Sequence, residues 1–229
     1  FAADVAHEIK NPLASLRSAT ESLGHVEDPD LRAQLLDIAT HDVRRIDRLV
    51  TEISDASRID AEMSRATFEP VELVGLVGNI IDRRRNRGLD AQHELVFEHA
   101  HRTAWTMGVP ERLERVIDNL LDNAASFSPA DGSIHLKLAQ DDGAQVLLVM
   151  DEGPGIAPHA RDKVFERFHS DRPEQESFGN HSGLGLAIAR TIAEAHGGSL
   201  RAQDRPDGGQ GACLMLALPA MANESDNAG

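Results

Sequence analysis

The sequence predicts an α+β chain: a helical hairpin followed by a longer segment in which strands and helices alternate. Two observations carry this. Over the first 60 or so residues apolar side chains recur at three- and four-residue steps. From residue 66 onward, short aliphatic runs at strand length are interleaved with helical stripes and glycine-rich turns. A chain of 229 residues that is 41% hydrophobic has room for two such modules with ordinary cores. The expected division is 1–65 for the hairpin, 66–220 for the α/β domain and 221–229 for a frayed tail.

In the first helix Val5, Ile9, Leu13, Leu16 and Leu23 gather on one face, and Gly24 suits a left-handed cap at its end. His7 lies roughly opposite that face, with Glu8 beside it and Asn11 one turn on. A solvated surface histidine is the ordinary reading of such a position. Pro12 falls inside the helix, where its missing N–H and its ring predict a kink beside His7. Residues 26–30 form a loop. Leu31, Leu35, Ile38, Ile46, Leu49, Ile53 and Ala56 then mark a second helix to about Asp60. A lone hairpin leaves each apolar stripe half covered, so two copies pairing as a four-helix bundle, a homodimer, is the expected remedy; packing on the chain's own later domain is the alternative. His41, between Thr40 and Asp42, reads as solvated.

Phe68 to Val71 leads into a first strand, and 72–87 forms a helix with Leu73, Leu76, Val77, Ile80 and Ile81 inward. Residues 94–98 and 103–107 are strand candidates. From Pro110 a helix carries Leu113, Val116, Ile117, Leu120, Leu121 and Ala124 on its core face, with Asn119 and Asn123 one turn apart at the edge. Alone, these amides suit capping or surface hydrogen bonding. Val146 to Met150 is a buried strand that runs straight into Asp151-Glu152-Gly153-Pro154-Gly155-Ile156. There the glycines let a flat ring approach, and a carboxylate at the strand end can accept a hydrogen bond from an exocyclic amine, which suits adenine, although such a run is also common in turns.

A short helix is expected from Pro158, with Phe165 and Phe168 as anchors. Residues 169–182 have no periodicity and form a lid-length loop. Gly183-Leu184-Gly185-Leu186 opens a helix with Leu186, Ile188, Ala189, Ile192 and Ala193 inward, and its free N-terminal amides can hold phosphate. A tight turn is the plainer reading of an isolated Gly-x-Gly. Strands at 199–202 and 212–218, joined through Asp207-Gly208-Gly209, complete the domain.

The net charge of −15 argues against nucleic-acid binding and against a polybasic membrane-surface role. No run of apolar residues spans a bilayer, so no membrane contact is expected of this stretch. The lone Cys213 lies in an apolar run, reads as a buried core thiol and suits the cytosol. With three lysines, Lys10, Lys137 and Lys163, and no Gly-x-x-x-x-Gly-Lys-Ser/Thr loop, a P-loop ATPase is excluded. Phosphate charge must then be offset by backbone amides, a cation, or groups such as Arg167, Arg172 and His181.

His7-Glu-Ile-Lys-Asn-Pro-Leu13 resembles the phosphoacceptor box of two-component sensor histidine kinases. Asn119-Leu-Leu-Asp-Asn123-Ala, Asp151-Glu-Gly-Pro-Gly155, Val164-Phe-Glu-Arg-Phe168 and Gly183-Leu-Gly-Leu186 resemble that family's N, G1, F and G2 boxes, in its order and over nearly the whole chain. The resemblance implies a HisKA-type dimerisation and phosphotransfer hairpin followed by an ATP-binding sandwich of the GHKL (HATPase) type shared with gyrase, Hsp90 and MutL. It implies an ATP-dependent protein-histidine kinase in which ATP phosphorylates His7, with Glu8 as general base. Asn123 then ligates Mg²⁺, and Asp151 receives the adenine amine. Asn119, Gly153, Gly155, Ile156, His181, Ser182, Gly183, Leu184, Gly185 and Leu186 complete the nucleotide site. Phosphate then passes to an aspartate of a response regulator, and Asn11 orients water for that regulator's dephosphorylation.

Ser126 and Ser170 stand where the family usually carries basic residues, so other groups substitute or ATP binds more weakly. Phe168 to Pro173 and Phe127-Ser-Pro129 are similar to envelope- and acid-sensing kinases of alphaproteobacteria. The sequence opens inside the first box, so it reads as a piece of a longer protein, the cytoplasmic portion of an inner-membrane sensor. Two alternatives remain at this point: a family member acting as ATP-controlled phosphatase or scaffold, and an ATPase of chaperone or topoisomerase type.

Overall fold

The computed structural model describes residues 2–63, 66–167 and 183–221, and the side chains of all of these except 2–4, 7, 8, 48, 52 and 55–63. The chain divides into two compact units: 1–61 with 168–184, and 62–167 with 185–229.

In the first unit α1 (Ala2–Leu23) and α2 (Pro29–Met63) form the expected hairpin. Helix α1 continues through Pro12, which withholds one N–H from the ladder without ending it. Gly24 is not left-handed as expected. Its N–H donates to the Glu21 carbonyl at 3.2 Å, and the following two amides bond to Ser22, so the helix closes in a tight turn at negative φ. Helix α2 starts earlier than its apolar stripe because Asp28 Oδ1 accepts the Asp30 N–H at 2.9 Å, a side-chain N-cap preceding Pro29 at the first helical position. Arg32 Nη1 donates to the carbonyls of Leu23 and Val26, fastening the turn. Leu49 is buried, whereas Leu13 and Leu31, expected on the buried stripes, are exposed. Leu36, Val43 and Val50 are also exposed, at seven-residue steps along α2.

The second unit is a two-layer sandwich. Strands β2 (Glu94–His99), β4 (Ser133–Asp141), β5 (Ala144–Met150), β7 (Cys213–Pro219) and β6 (Ser199–Gln203) lie in that spatial order. The β2–β4 pair is parallel and the rest are antiparallel. A separate ribbon pairs β1 (Glu69–Glu72) with β3 (Trp105–Gly108). Helices α3 (Leu73–Arg87), α4 (Pro110–Phe127) and α5 (Gly185–Ala195) form the second layer, with α4 in the middle against α3, α5 and strands β4 and β5. Alternate residues Ile134, Leu136 and Leu138 of β4 and Leu147 and Val149 of β5 meet Leu113, Ile117, Leu120 and Leu121 of α4 in the core. Cys213 is fully buried as expected, and burial pushes its thiol up to about 11.

Caps and buried polar pairs fix the helices. Glu72 caps α3 through the N–H groups of Val74 and Gly75 and also accepts from Ala104 N, while Gly88 closes the helix at φ 64°. Arg84 of α3 is buried and bidentate to Asp90, and it reaches Asp118 and Asp122 of α4 at 3.0 and 2.7 Å. These two aspartates alternate with Asn119 and Asn123, so the ion cluster sets the rotation of α4 about its own axis.

His196 follows α5 and is buried. Its Nδ1 lies 2.7 Å from the Ile192 carbonyl and its Nε2 accepts the Val109 N–H at 3.1 Å, an arrangement that only the neutral ring with its proton on Nδ1 satisfies. A Cβ on Gly108 would stand 2.9 Å from this ring. Burial holds the His196 pKa below its ordinary value. The unfolded chain therefore binds the proton more readily, and His196 subtracts stability as pH falls through about 6.5, with no effect well above it. In His196→Gln the decline of unfolding free energy just below that pH, followed by urea denaturation, is expected to be shallower by up to about 1.4 kcal/mol per pH unit. An unchanged slope contradicts the buried neutral ring.

Candidate functional site

Strand β5 delivers Asp151 to the edge of the sandwich, where it is 2% exposed. The entry to β7 and the turn that follows Asp151 both grip it. Asp151 N donates to the Ala212 carbonyl at 3.0 Å, and Asp151 Oδ1 accepts from Ala212 N and from Gly153 N, each at 2.9 Å. Oδ1 is thereby saturated by backbone, and Oδ2 has no hydrogen-bond partner among the described residues. Burial raises the carboxyl pKa, while the two backbone donors and the Arg205 guanidinium oppose that shift. The result is a buried carboxylate with one oxygen spent on its own positioning and one left to accept a donor.

The backbone approaches closely here. A Cβ on Gly153 would lie 2.6 Å from the Phe127 carbonyl oxygen, and Gly155 sits at φ 81° against the Gly211 carbonyl. Ile156, half-buried, follows on the same turn. Glu152 points away, with its carboxylate accepting from Ser133 Oγ at 2.6 Å and Ser133 N at 3.1 Å, which lowers its pKa.

Helix α4 supplies the amides. Asn119 Nδ2 donates to the Gly185 carbonyl at 3.0 Å, joining α4 to the first residue of α5. Asn123, one turn further and half-buried, has no side-chain hydrogen-bond partner among the described residues. Its carboxamide oxygen is the donor type a hard divalent cation takes. The first amides of α5 have no intrahelical acceptor, as at any helix start.

Two family models match the chain: the His Kinase A (phospho-acceptor) domain over residues 1–62, and the histidine kinase-, DNA gyrase B- and HSP90-like ATPase over residues 108–222. The chain belongs to the sensor histidine kinase family. Its second domain is therefore of an ATP-binding kind. Sensor protein ChvG of Rhizobium meliloti (strain 1021) is 45% identical over 96% of this chain, which bears out the alphaproteobacterial resemblance. The chain spans 40% of that relative's length. The mycobacterial sensor histidine kinase MprB is 34% identical over 69% of this chain and all of its own, with a TM-score of 0.58. The histidine kinase ThkA, solved in complex with the response regulator protein TrrA, shares the fold over 96% of this chain and 61% of its own, at TM-score 0.76 and 22% identity.

Within the second unit of this kinase chain, Asn119 and Gly185 come together directly, while Gly153 and Gly155 join Asp151 in a single turn. Leu186 was expected in the core, but it is half-exposed and Ala187 is buried, because α5 begins at Gly185 and its phase follows from that start. Gly183, at φ 72°, and the buried Leu184 belong to the first unit's stretch. Asn11 is exposed on α1. The side chains of His7 and Glu8 lie outside the described residues, as do His181, Ser182, Phe168 and the loop expected over 169–182. In place of one short helix, 3₁₀ turns occupy Pro158–Ala160 and Lys163–Phe165. The second buries Phe165, with the Arg190 guanidinium 5.2 Å from its ring centre.

The sequence reading missed Gly211 and Arg205. Gly211 has φ 124°, and a Cβ there would fall 1.8 Å from the Asp151 carbonyl oxygen. Gly211→Ala is expected to cost at least about 3 kcal/mol in urea denaturation. The control Gly143→Ala, at φ 74° with open space around it, is expected to cost only about 1 kcal/mol. Equal losses would mean that the grip on Asp151 is not tight.

Proposed function

We propose that this chain is the catalytic core of a sensor histidine kinase that transfers the γ-phosphoryl group of ATP to His7 and then to an aspartate of a response regulator. The observation that carries the reading is the buried Asp151 carboxylate, held through Oδ1 with Oδ2 left to accept the exocyclic amine of adenine. Gly153, Gly155 and Ile156 line the base. The N-terminal amides of α5, which Gly185 and Leu186 open, take the phosphates, and the family resemblance assigns His181, Ser182, Gly183 and Leu184 to the same motif. Asn123 holds Mg²⁺, which when bound neutralises phosphate charge; the half-buried amide without a protein partner fits that role. Asn119 ties the metal-bearing helix to the phosphate-bearing one through Gly185.

The neutral imidazole of His7 is the nucleophile, since only the unprotonated ring nitrogen has a lone pair to attack phosphorus. Glu8 takes the ring proton and Asn11 orients water for dephosphorylating the regulator. In this reading the phosphotransfer hairpin is 1–65 and the ATP-binding domain begins at residue 66. Homodimerisation is supported by the exposed heptad Leu36, Val43 and Val50, which a second hairpin would cover. Among the described residues no helix is long and apolar enough to cross a membrane. Membership in a sensor family supports a cytoplasmic position for this segment of an inner-membrane sensor.

Incubation with γ-labelled ATP and magnesium is expected to place an acid-labile label on the chain, and His7→Gln is expected to abolish it. Sustained phosphate release without labelled protein would favour an ATPase of chaperone type, and no turnover at all a phosphatase or scaffold.

A further inference from the structure

The turn between β6 and β7 grips Asp151 through Ala212, and it also carries an arginine to which the reading above gives no role. Arg205 sits in it with its side chain only 8% exposed. Its guanidinium is pinned in two directions. Nε and Nη2 donate to Asp207 Oδ1 and Oδ2 at 3.0 and 2.6 Å, a two-point fork. Nη1 donates to the main-chain carbonyl of Asp151 at 2.8 Å and to that of Gln210 at 3.3 Å. Asp207 Oδ1 also accepts from Gly209 N, and the preceding Asp204 pairs with Arg161 beyond the Asp151 turn.

The same turn then returns through Gly211 and Ala212, whose backbone bonds Asp151 N and Oδ1. Its two ends therefore hold every polar group of Asp151 except Oδ2: the N–H, the carbonyl and Oδ1. A carbonyl fixed at 2.8 Å by a buried cation fixes the peptide plane on the C-terminal side of Asp151, and with it the direction in which the carboxylate leaves the backbone.

We propose that Arg205 is a positioning residue for base selectivity, and that it aims Asp151 Oδ2 so that nucleotides bearing an exocyclic amine are preferred over those without one. This rests on the reading of Asp151 as the acceptor of that amine. Arg205 reaches Asp151 through the main-chain carbonyl, so it acts through Asp151. The lysine side chain keeps the charge but lacks the planar fork that bonds Asp207 twice while reaching the carbonyl, so Arg205→Lys does not restore the aim.

The test compares equilibrium binding of ATP and of purine riboside triphosphate, which lacks the 6-amine, by calorimetry on the whole chain. The wild type is expected to prefer ATP by about tenfold or more, the worth of one hydrogen bond to a charged acceptor. Arg205→Met is expected to weaken ATP about tenfold while the amine-free analogue stays within about twofold, so the ratio collapses toward one. Asp207→Asn, which keeps the arginine but frees its fork, is expected to reduce the ratio in the same sense and supplies the answer should Arg205→Met not fold. Equal weakening of both nucleotides, or an unchanged ratio in Asp207→Asn, overturns the positioning role and leaves the Asp151 reading standing. A wild type without preference overturns the Asp151 reading itself, and the role of Arg205 with it.

Discussion

The second unit is organised around one residue that is costly to bury. Asp151 leaves the end of β5 almost wholly out of solvent, and an ionised carboxylate there is tolerable only if backbone donors meet it. That requirement explains features far from it in sequence. Ala212 must present both N–H and carbonyl at the head of β7, Gly211 must adopt φ 124° to let the strands close, and Gly153 must lack a side chain against the Phe127 carbonyl. Since β5 lies in the middle of the sheet, paired with β4 on one side and β7 on the other, the carboxylate is anchored to the stiffest part of the fold.

A second constraint holds α4. It is seated by Leu113, Ile117, Leu120 and Leu121 on the sheet, but apolar contacts alone leave its rotation loosely set. Arg84 bridging Asp118 and Asp122, with Arg83 adding Glu114 and Asp118, removes that freedom from the α3 side. Asn119 to Gly185 removes it from the α5 side. Asn123 is left at a fixed azimuth with its amide uncommitted among the described residues, which is what a ligand-binding group needs from its scaffold.

Much of this was legible in the sequence where the signal is local. The period of α4 gave its core face residue by residue, and the aliphatic run 146–150 ending in Asp151 announced a strand tip bearing a carboxylate. Strand β4, the longest of the sheet, was equally readable from Ile134, Leu136 and Leu138 alternating with His135 and Lys137, but the reading passed over it. Other features had no local signal. Arg84 meets Asp118 across 34 residues, Arg205 meets Asp151 across 54, and Val109 meets His196 across 87, so only the packing of α3 and α5 beside α4, and of the β6–β7 turn against the end of β5, creates those pairs. Gly24 was misjudged because a glycine after a helix permits a left-handed cap without requiring one.

Under the proposed function the hairpin and the ATP-binding domain make complementary demands, the first for an accessible nucleophile and the second for a rigid acceptor of adenine. The central claim concerns the acceptor, and a crystal structure of the chain with magnesium and a non-hydrolysable ATP analogue tests it most directly. The account predicts the adenine amine within hydrogen-bond distance of Asp151 Oδ2, with Oδ1 still on Ala212 and Gly153. A nucleotide bound elsewhere, with Oδ2 facing no donor, would contradict it.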